Sequence, residues 1–304
     1  MGFPTGTRFD VGGVSWFDGG EFDTAAFWAA LGLCAAALLV LFALTFLLAR
    51  RWGKHSVVDV VWGLGFVVLA WTALGVALAA DTGSAARQSL ITVMVSVWGL
   101  RLAWHIGRRN AGHGEDPRYE ALLRKVPPEQ RTFYALRMIY GLQVLLVLFI
   151  GLPVVVAQIY SGSAAGSADT ACCPNFQDLD PGALGWIGVA LWAVGLFFEA
   201  VGDWQLKRFK AEPANKGTVM DRGLWRYTRH PNYFGDACVW WGIFLVSAET
   251  GIGVFTILSP IVMTLFLTKG SGAALTERRM AGRPGFDEYV ARTSGFFPLP
   301  PKRS

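Results

Sequence analysis

Between Gly223 and Asp236 the chain reads GLWRYTRHPNYFGD, its densest gathering of polar chemistry. The stretch sets Arg226, Tyr227, Arg229, His230, Asn232, Tyr233 and Asp236 at the mouth of an apolar run. Arginines beside hydrogen-bonding rings suit an anionic ligand, because guanidinium forks match phosphate and carboxylate oxygens. Pro231 pushes the residue before it out of the helical region. The polar side chains are therefore expected on a turn that feeds a new helix, opened by Asn232 and Tyr233. The free N–H groups of such a first turn favour a phosphate. The competing reading is an interfacial anchor, since aromatic and basic residues also collect at membrane boundaries.

Other side chains with chemical potential lie inside apolar runs, where a charge costs about 2.5–3.5 kcal/mol on insertion scales. Asp59 and Trp62 stand three apart. Trp98, Arg101 and His105 follow i, i+3, i+7 and share one helical face. Glu199 and Asp203 are four apart, and Lys210 continues that face. Arg108, Arg109, Asp116, Arg118 and Tyr119 occupy a Gly/Pro-containing loop, and Glu277 follows the last apolar run.

These residues need elements to position them. Of the 304 residues 53% are apolar and 16% charged, against about 25% charged in soluble chains. Seven runs suggest membrane helices: 26–49, 57–80, 88–107, 137–159, 183–203, 233–248 and 252–268. Helices are the expected span, because every backbone polar group must find an internal partner in lipid. Of the 27 Lys and Arg, 24 fall in the loops 49–56, 108–137 and 204–232 and in the tail after 268. The positive-inside rule then puts the N-terminus outside and the C-terminus in the cytoplasm. The expected organisation is all-α: an extracytoplasmic segment 1–25, a seven-helix transmembrane domain 26–268 and a cytoplasmic segment 269–304 that completes a site. The net charge of +5 is assigned to this topology, and no nucleic-acid partner is expected. No cleavable leader pattern stands at the start.

With that topology Asp59, Arg101, His105, Glu199, Asp203 and Arg229 all fall at cytoplasmic helix ends. A polar chamber open to a soluble ligand is expected there, above an apolar floor that a lipid-like molecule reaches from the bilayer. Ion pairing between spans is the bland alternative for any one of them. No strand–helix GxGxxG or P-loop occurs. The cysteines Cys34, Cys172, Cys173 and Cys238 have no metal-ligand spacing, so no metal is expected. The vicinal pair Cys172–Cys173 lies in a polar loop and offers an oxidisable site.

The block GLWRYTRHPNYFGD with its following Trp-Trp-Gly resembles the steroid 5-alpha-reductase-like membrane proteins. The closer likeness is to their bacterial branch, described as domain of unknown function 1295. RRNAGHGEDPRY at 108–119, DWQLKRFK at 203–210 and ERRMAGRPGFDEYVARTSGFFP at 277–298 agree with it. The resemblance covers roughly residues 57–304. Arg-His-Pro-x-Tyr by itself is also found in isoprenylcysteine carboxyl methyltransferases, which bind S-adenosylmethionine.

The resemblance implies a multi-pass cell-membrane reductase whose site opens to the cytoplasm. It would hold NADPH and transfer a hydride to an enone-like C=C bond of a hydrophobic, steroid- or lipid-like substrate. It implies that Asn232, Asp203 and Arg101 contact the cofactor, with Lys210 where the steroid enzymes carry Arg. Arg109 and Arg229 join Arg101 and Lys210 on the phosphates, and His105, Arg108, Asp116, Arg118, Tyr119, Glu199, Arg226, Tyr227, His230, Tyr233, Asp236 and Glu277 complete the cofactor side. The steroid enzymes use a Gln-Glu pair in span two and a Tyr in span three, where this chain has Asp59, Trp62 and Trp98. Asp59, with its acidity weakened by burial, is then the expected polarising group for the substrate carbonyl. Two alternatives stand beside this reading: a membrane methyltransferase using S-adenosylmethionine, and a non-enzymatic lipid or sterol binder.

Overall fold

The computed structural model describes residues 10–11, 14–15, 21–161, 181–270 and 272–302. Cys172 and Cys173, and most of the loop that holds them, lie outside the described residues. The chain is mostly helical and divides into two compact units. The first is Met1–Gly185 with Val246–Thr256, and the second is Trp186–Leu245 with Ile257–Ser304.

In the first unit, α1 (Thr24–Trp52), α2 (Val57–Ala79) and α3 (Ala85–Asn110) pack in sequence order. Asp23 caps α1 by accepting from the Ala26 N–H at 2.9 Å. Gly53 closes it at φ 63°, a left-handed geometry that glycine adopts without strain. After α4 (Pro117–Leu123), a long helical stretch runs through α5 (Arg131–Ala135), a π-helical segment Leu136–Gly141 and α6 (Leu142–Ile150). It breaks at Gly151, and α7 (Leu152–Ile159) follows with Pro153 in its first turn, where the missing N–H loses nothing. The expected span 137–159 is therefore two helices. Gly63 and Gly99 set the contact of α2 with α3, since a Cβ on either would lie 2.6 Å from the other's carbonyl oxygen. Small residues at such crossings let backbones touch where lipid gives no hydrophobic drive. Beside them Phe66 meets the rings of Trp62 and Trp98 at 5.0 and 5.5 Å.

The second unit holds α8 (Ala183–Ala211), nearly all of α9 (Pro231–Ala248), α10 (Leu258–Thr268), α11 (Ala273–Met280) and α12 (Phe286–Arg292). The same device recurs here: a Cβ on Gly235 would stand 2.4 Å from the Gly195 oxygen, and one on Gly242 would stand 2.5 Å from that of Gly188.

Among the described residues, six helical stretches are long and apolar enough to cross a membrane: Thr24–Trp52, Val57–Ala79, Ala85–Asn110, Pro128–Ile150, Ala183–Ala211 and Ile252–Met280. The chain is a multi-pass membrane protein. The expected span 233–248 does form a helix, α9, but it is not among these six. Its first turns carry Asn232, Tyr233 and Asp236 and dilute its hydropathy.

Candidate functional site

The opening stretch folds as a turn that feeds a helix. Gly223–Arg226 is a 3-10 turn, and α9 starts at Pro231 with Asn232 and Tyr233 directly after it. The turn is pinned from α8. Trp225 Nε1 donates to the Gly202 carbonyl at 3.0 Å, and the Leu224 N–H donates to Gln205 Oε1 at 3.0 Å. Gly223, at φ 60°, lies so close to the Gln205 amide that a side chain there would collide with it.

The stretch is also clasped by the chain's last described segment. Arg229 Nε donates to Glu277 Oε1 at 2.8 Å, and its Nη1 donates to the carbonyls of Val290 at 3.2 Å and Thr293 at 2.7 Å. His230 Nε2 lies 3.0 Å from the same Glu277 oxygen, and its ring stacks on Tyr233 at 5.3 Å. Thr228 bridges in parallel to Ser294 and donates its hydroxyl to the Phe296 carbonyl at 2.8 Å. Tyr289 donates its hydroxyl to the Trp225 carbonyl at 2.6 Å. Arg229, expected on cofactor phosphates, is engaged within the protein through its Nε and Nη1. His230 is buried, and burial pulls its pKa below the ordinary value of 6.5 against the opposing pull of Glu277.

Beneath the clasp, the close α8–α9 crossing brings the acidic pair to the start of α9. Glu199 and Asp203 are buried, and Asn232 Nδ2 donates to Asp203 Oδ1 at 3.3 Å. Asn232 Oδ1 in turn accepts from the Tyr233 N–H at 3.1 Å. A Cβ on Gly235 would lie 2.7 Å from the Glu199 nitrogen, so only glycine admits the acidic helix this close. Asp236 is half-buried, and Lys210, Arg226 and Tyr227 are exposed.

An open cavity of about 940 Å³ is lined by Asp221, Arg222, Gly223, Arg226, Arg292, Pro301 and Lys302. Arg292 is paired with Asp221. Arg222, Arg226 and Lys302 have no carboxylate partner among the described residues. Arg222 and Lys302 were not singled out by sequence reasoning. Their only sequence signal is membership of the basic loop and tail, which positive-inside charge already explained.

In the first unit, a loop folds over the start of α2. The Glu115 carboxylate accepts from the backbone N–H groups of His55 and of Ser56, the latter at 2.9 Å. It caps the helix from sixty residues away in place of a local side chain. Lys54 Nζ donates to the carbonyls of Asn110 at 2.8 Å and His113 at 2.9 Å, where a cation meets the negative end of α3. Asp59 accepts from Arg118 Nη2 at 2.7 Å and from the Tyr119 hydroxyl at 2.5 Å. Arg118 also reaches Asp116 at 3.0 Å. Burial and the Asp59 carboxylate raise the Tyr119 pKa. Both Asp59 oxygens, expected to polarise a substrate carbonyl, therefore accept hydrogen bonds from this loop. Trp98 is fully buried, while Trp62 Nε1 is buried with no acceptor among the described residues. Arg101 and His105 are half-buried on the Trp98 face of α3. Arg108 lies over the exposed Trp104 ring at 5.3 Å, and Arg109 is exposed.

The expected site residues thus form two constellations. Asp59, Asp116, Arg118 and Tyr119 meet in the first unit, and Glu277, Arg229, His230, Tyr233, Asn232 and Asp203 in the second.

Comparison with known proteins adds three findings. No solved structure matches the chain. Over 111 residues it is 32% identical to a protein of Ustilaginoidea virens called probable O-methyltransferase ustE, a stretch covering 36% of this chain and 34% of that one. The match therefore spans about a third of that relative's length. The family model described as "Protein of unknown function (DUF1295)" matches residues 45–293. That range takes in α2, the Asp59 constellation, the acidic pair and the Arg229–Glu277 contact, and the chain belongs to the DUF1295 family.

Proposed function

We propose that the protein is a membrane reductase that takes NADPH on its second unit and reduces an activated C=C bond of a hydrophobic substrate. The observation that carries this reading is the basic cavity at Arg222, Arg226 and Lys302. Its turn is tied by Trp225 to Gly202, the residue before Asp203. Cations without carboxylate partners suit phosphates, while the buried Asp203 and its partner Asn232 suit ribose hydroxyls or a carboxamide. The likeness of the DUF1295 family to the steroid 5-alpha-reductases points the same way.

NADPH, when bound, supplies the hydride, and water supplies the proton that completes the reduction of the C=C bond. The chain's own part is to hold NADPH. Asn232 and Asp203 orient its polar groups, Arg222 and Arg226 neutralise phosphate, and the Arg229–Glu277 clasp keeps the turn in place. With the basic loops inside, the C-terminus and the cofactor side face the cytoplasm of a cell membrane, and the N-terminus lies outside.

A second reading, an O-methyltransferase using S-adenosylmethionine, is favoured by the name of the fungal relative and by the internal engagement of Arg229. The two separate on charge, because S-adenosylmethionine carries no phosphate. Purified protein in detergent is titrated with NADPH, NADH and S-adenosylmethionine. NADPH is expected to bind, and Arg222→Gln with Arg226→Gln to weaken it at least about tenfold, the loss of one charge-assisted hydrogen bond. Binding of S-adenosylmethionine without NADPH overturns the reductase.

A further inference from the structure

A second cavity, in the first unit, serves neither reading. It measures about 440 Å³, within the range of about 300–1,000 Å³ common for ligand pockets. Its wall is built from the last turns of α1, the end of α4 and the start of α5. Phe46, Ala49 and Leu123 give the lining its apolar part, and Arg50, Arg124 and Arg131 contribute positive charge.

The acidic residues at this cavity are already engaged. Glu115 caps α2 through the N–H groups of His55 and Ser56, and Glu120 pairs with Arg124 at 3.3 Å. Arg50, lying over the Phe46 ring at 5.8 Å, and Arg131 have no carboxylate partner among the described residues. The setting is interfacial. On α1 Leu44, Leu47 and Leu48 point away from the protein, ending at Trp52, which is 61% exposed. Phe133, two residues after Arg131, is 69% exposed. Exposed aromatics at the end of an apolar helix mark headgroup depth. A basic cavity at that depth, with Phe46 and Leu123 in its lining, suits the phosphodiester of an anionic lipid.

We infer that the cavity between the ends of α1, α4 and α5 binds the headgroup of an anionic phospholipid through Arg50 and Arg131. The shared chemistry is a phosphate oxyanion, and the committed source is the bilayer. The test is native mass spectrometry of the full chain in lipid–detergent micelles, with phosphatidylglycerol and phosphatidylcholine as separate arms. Inorganic phosphate is added as a competitor. The wild type is expected to retain phosphatidylglycerol over phosphatidylcholine. Arg50→Gln and Arg131→Gln should each weaken retention about fivefold, the worth of one basic residue at an anionic surface. Arg51→Gln, exposed next door, should leave it unchanged, and Arg50→Lys should recover part of the loss. Equal retention of the two lipids, or variants that hold phosphatidylglycerol as the wild type does, overturns the inference. So does displacement by inorganic phosphate at matching concentration, which would make the ligand a soluble anion. If Arg131→Gln fails to fold, the Arg50 pair of variants decides.

Discussion

Arg229→Lys separates a clasp from a ligand contact. Lysine keeps a cation beside Glu277 but loses the fork that reaches the carbonyls of Val290 and Thr293. Each bond to a charged group is worth about 1.5–3 kcal/mol. The Arg229 side chain is 15% exposed, so water recovers part of that, and the expected local loss is about 2–3 kcal/mol. At about 1.4 kcal/mol per tenfold, the clasp should open about 30- to 140-fold more often. Hydrogen exchange reads this directly, because local opening sets amide protection. The reporters are the N–H groups of Arg229, bonded to Ser294, of Leu299, bonded to Tyr227, and of Lys302, bonded to Arg292. Unchanged protection at these amides together with weakened NADPH binding would refute the clasp and return Arg229 to the ligand.

The remaining predictions concern the crossing beneath the clasp and the histidine inside it. Gly235→Ala puts a methyl group 2.4 Å from the Gly195 oxygen, an overpacking that costs about 1–3 kcal/mol. A clear fall in melting temperature is expected, whereas Gly32→Ala, with nothing within 4 Å, should be neutral or slightly stabilising; equal melting of the two variants contradicts the backbone contact. His230 titrates below its ordinary 6.5 in the fold, so the unfolded chain takes up its proton first. Its contribution is complete above about pH 6.5 and is lost as the pH falls toward the lowered value, by at most about 1.4 kcal/mol per pH unit. His230→Gln should flatten the fall in melting temperature between pH 7 and pH 5; a slope equal to the wild type's would show that His230 is not held neutral. His55, also shifted down by burial, is present in both chains and cancels.

The apolar runs were legible because lipid leaves the backbone one way to satisfy itself. The 223–236 turn was legible because proline restricts its neighbours, and α9 does begin at Pro231. What the sequence hid were partners far along the chain. Nothing local says that Glu277 lies against both Arg229 and His230, or that Glu115 caps a helix starting at Val57. Asp59 reads as a lone acid in an apolar run until Arg118 and Tyr119 arrive from another element. Conversely, α9 is weaker as a span than its position suggested, because the polar residues that make it chemically interesting sit in its own first turns.

The Gly195–Gly235 crossing has a mechanical meaning. Two backbones in contact have no rotamers with which to absorb a displacement, so the junction acts as a pivot. Asp203 stands two turns beyond it, on a lever arm of about 12 Å at 1.5 Å per residue. A change of about 5° in the angle between the helices moves the tip by about 1 Å on that rise. The Asn232–Asp203 contact, at 3.3 Å, has no slack for that displacement. Small rotations at a bare backbone junction are thereby geared up into the making or breaking of one hydrogen bond.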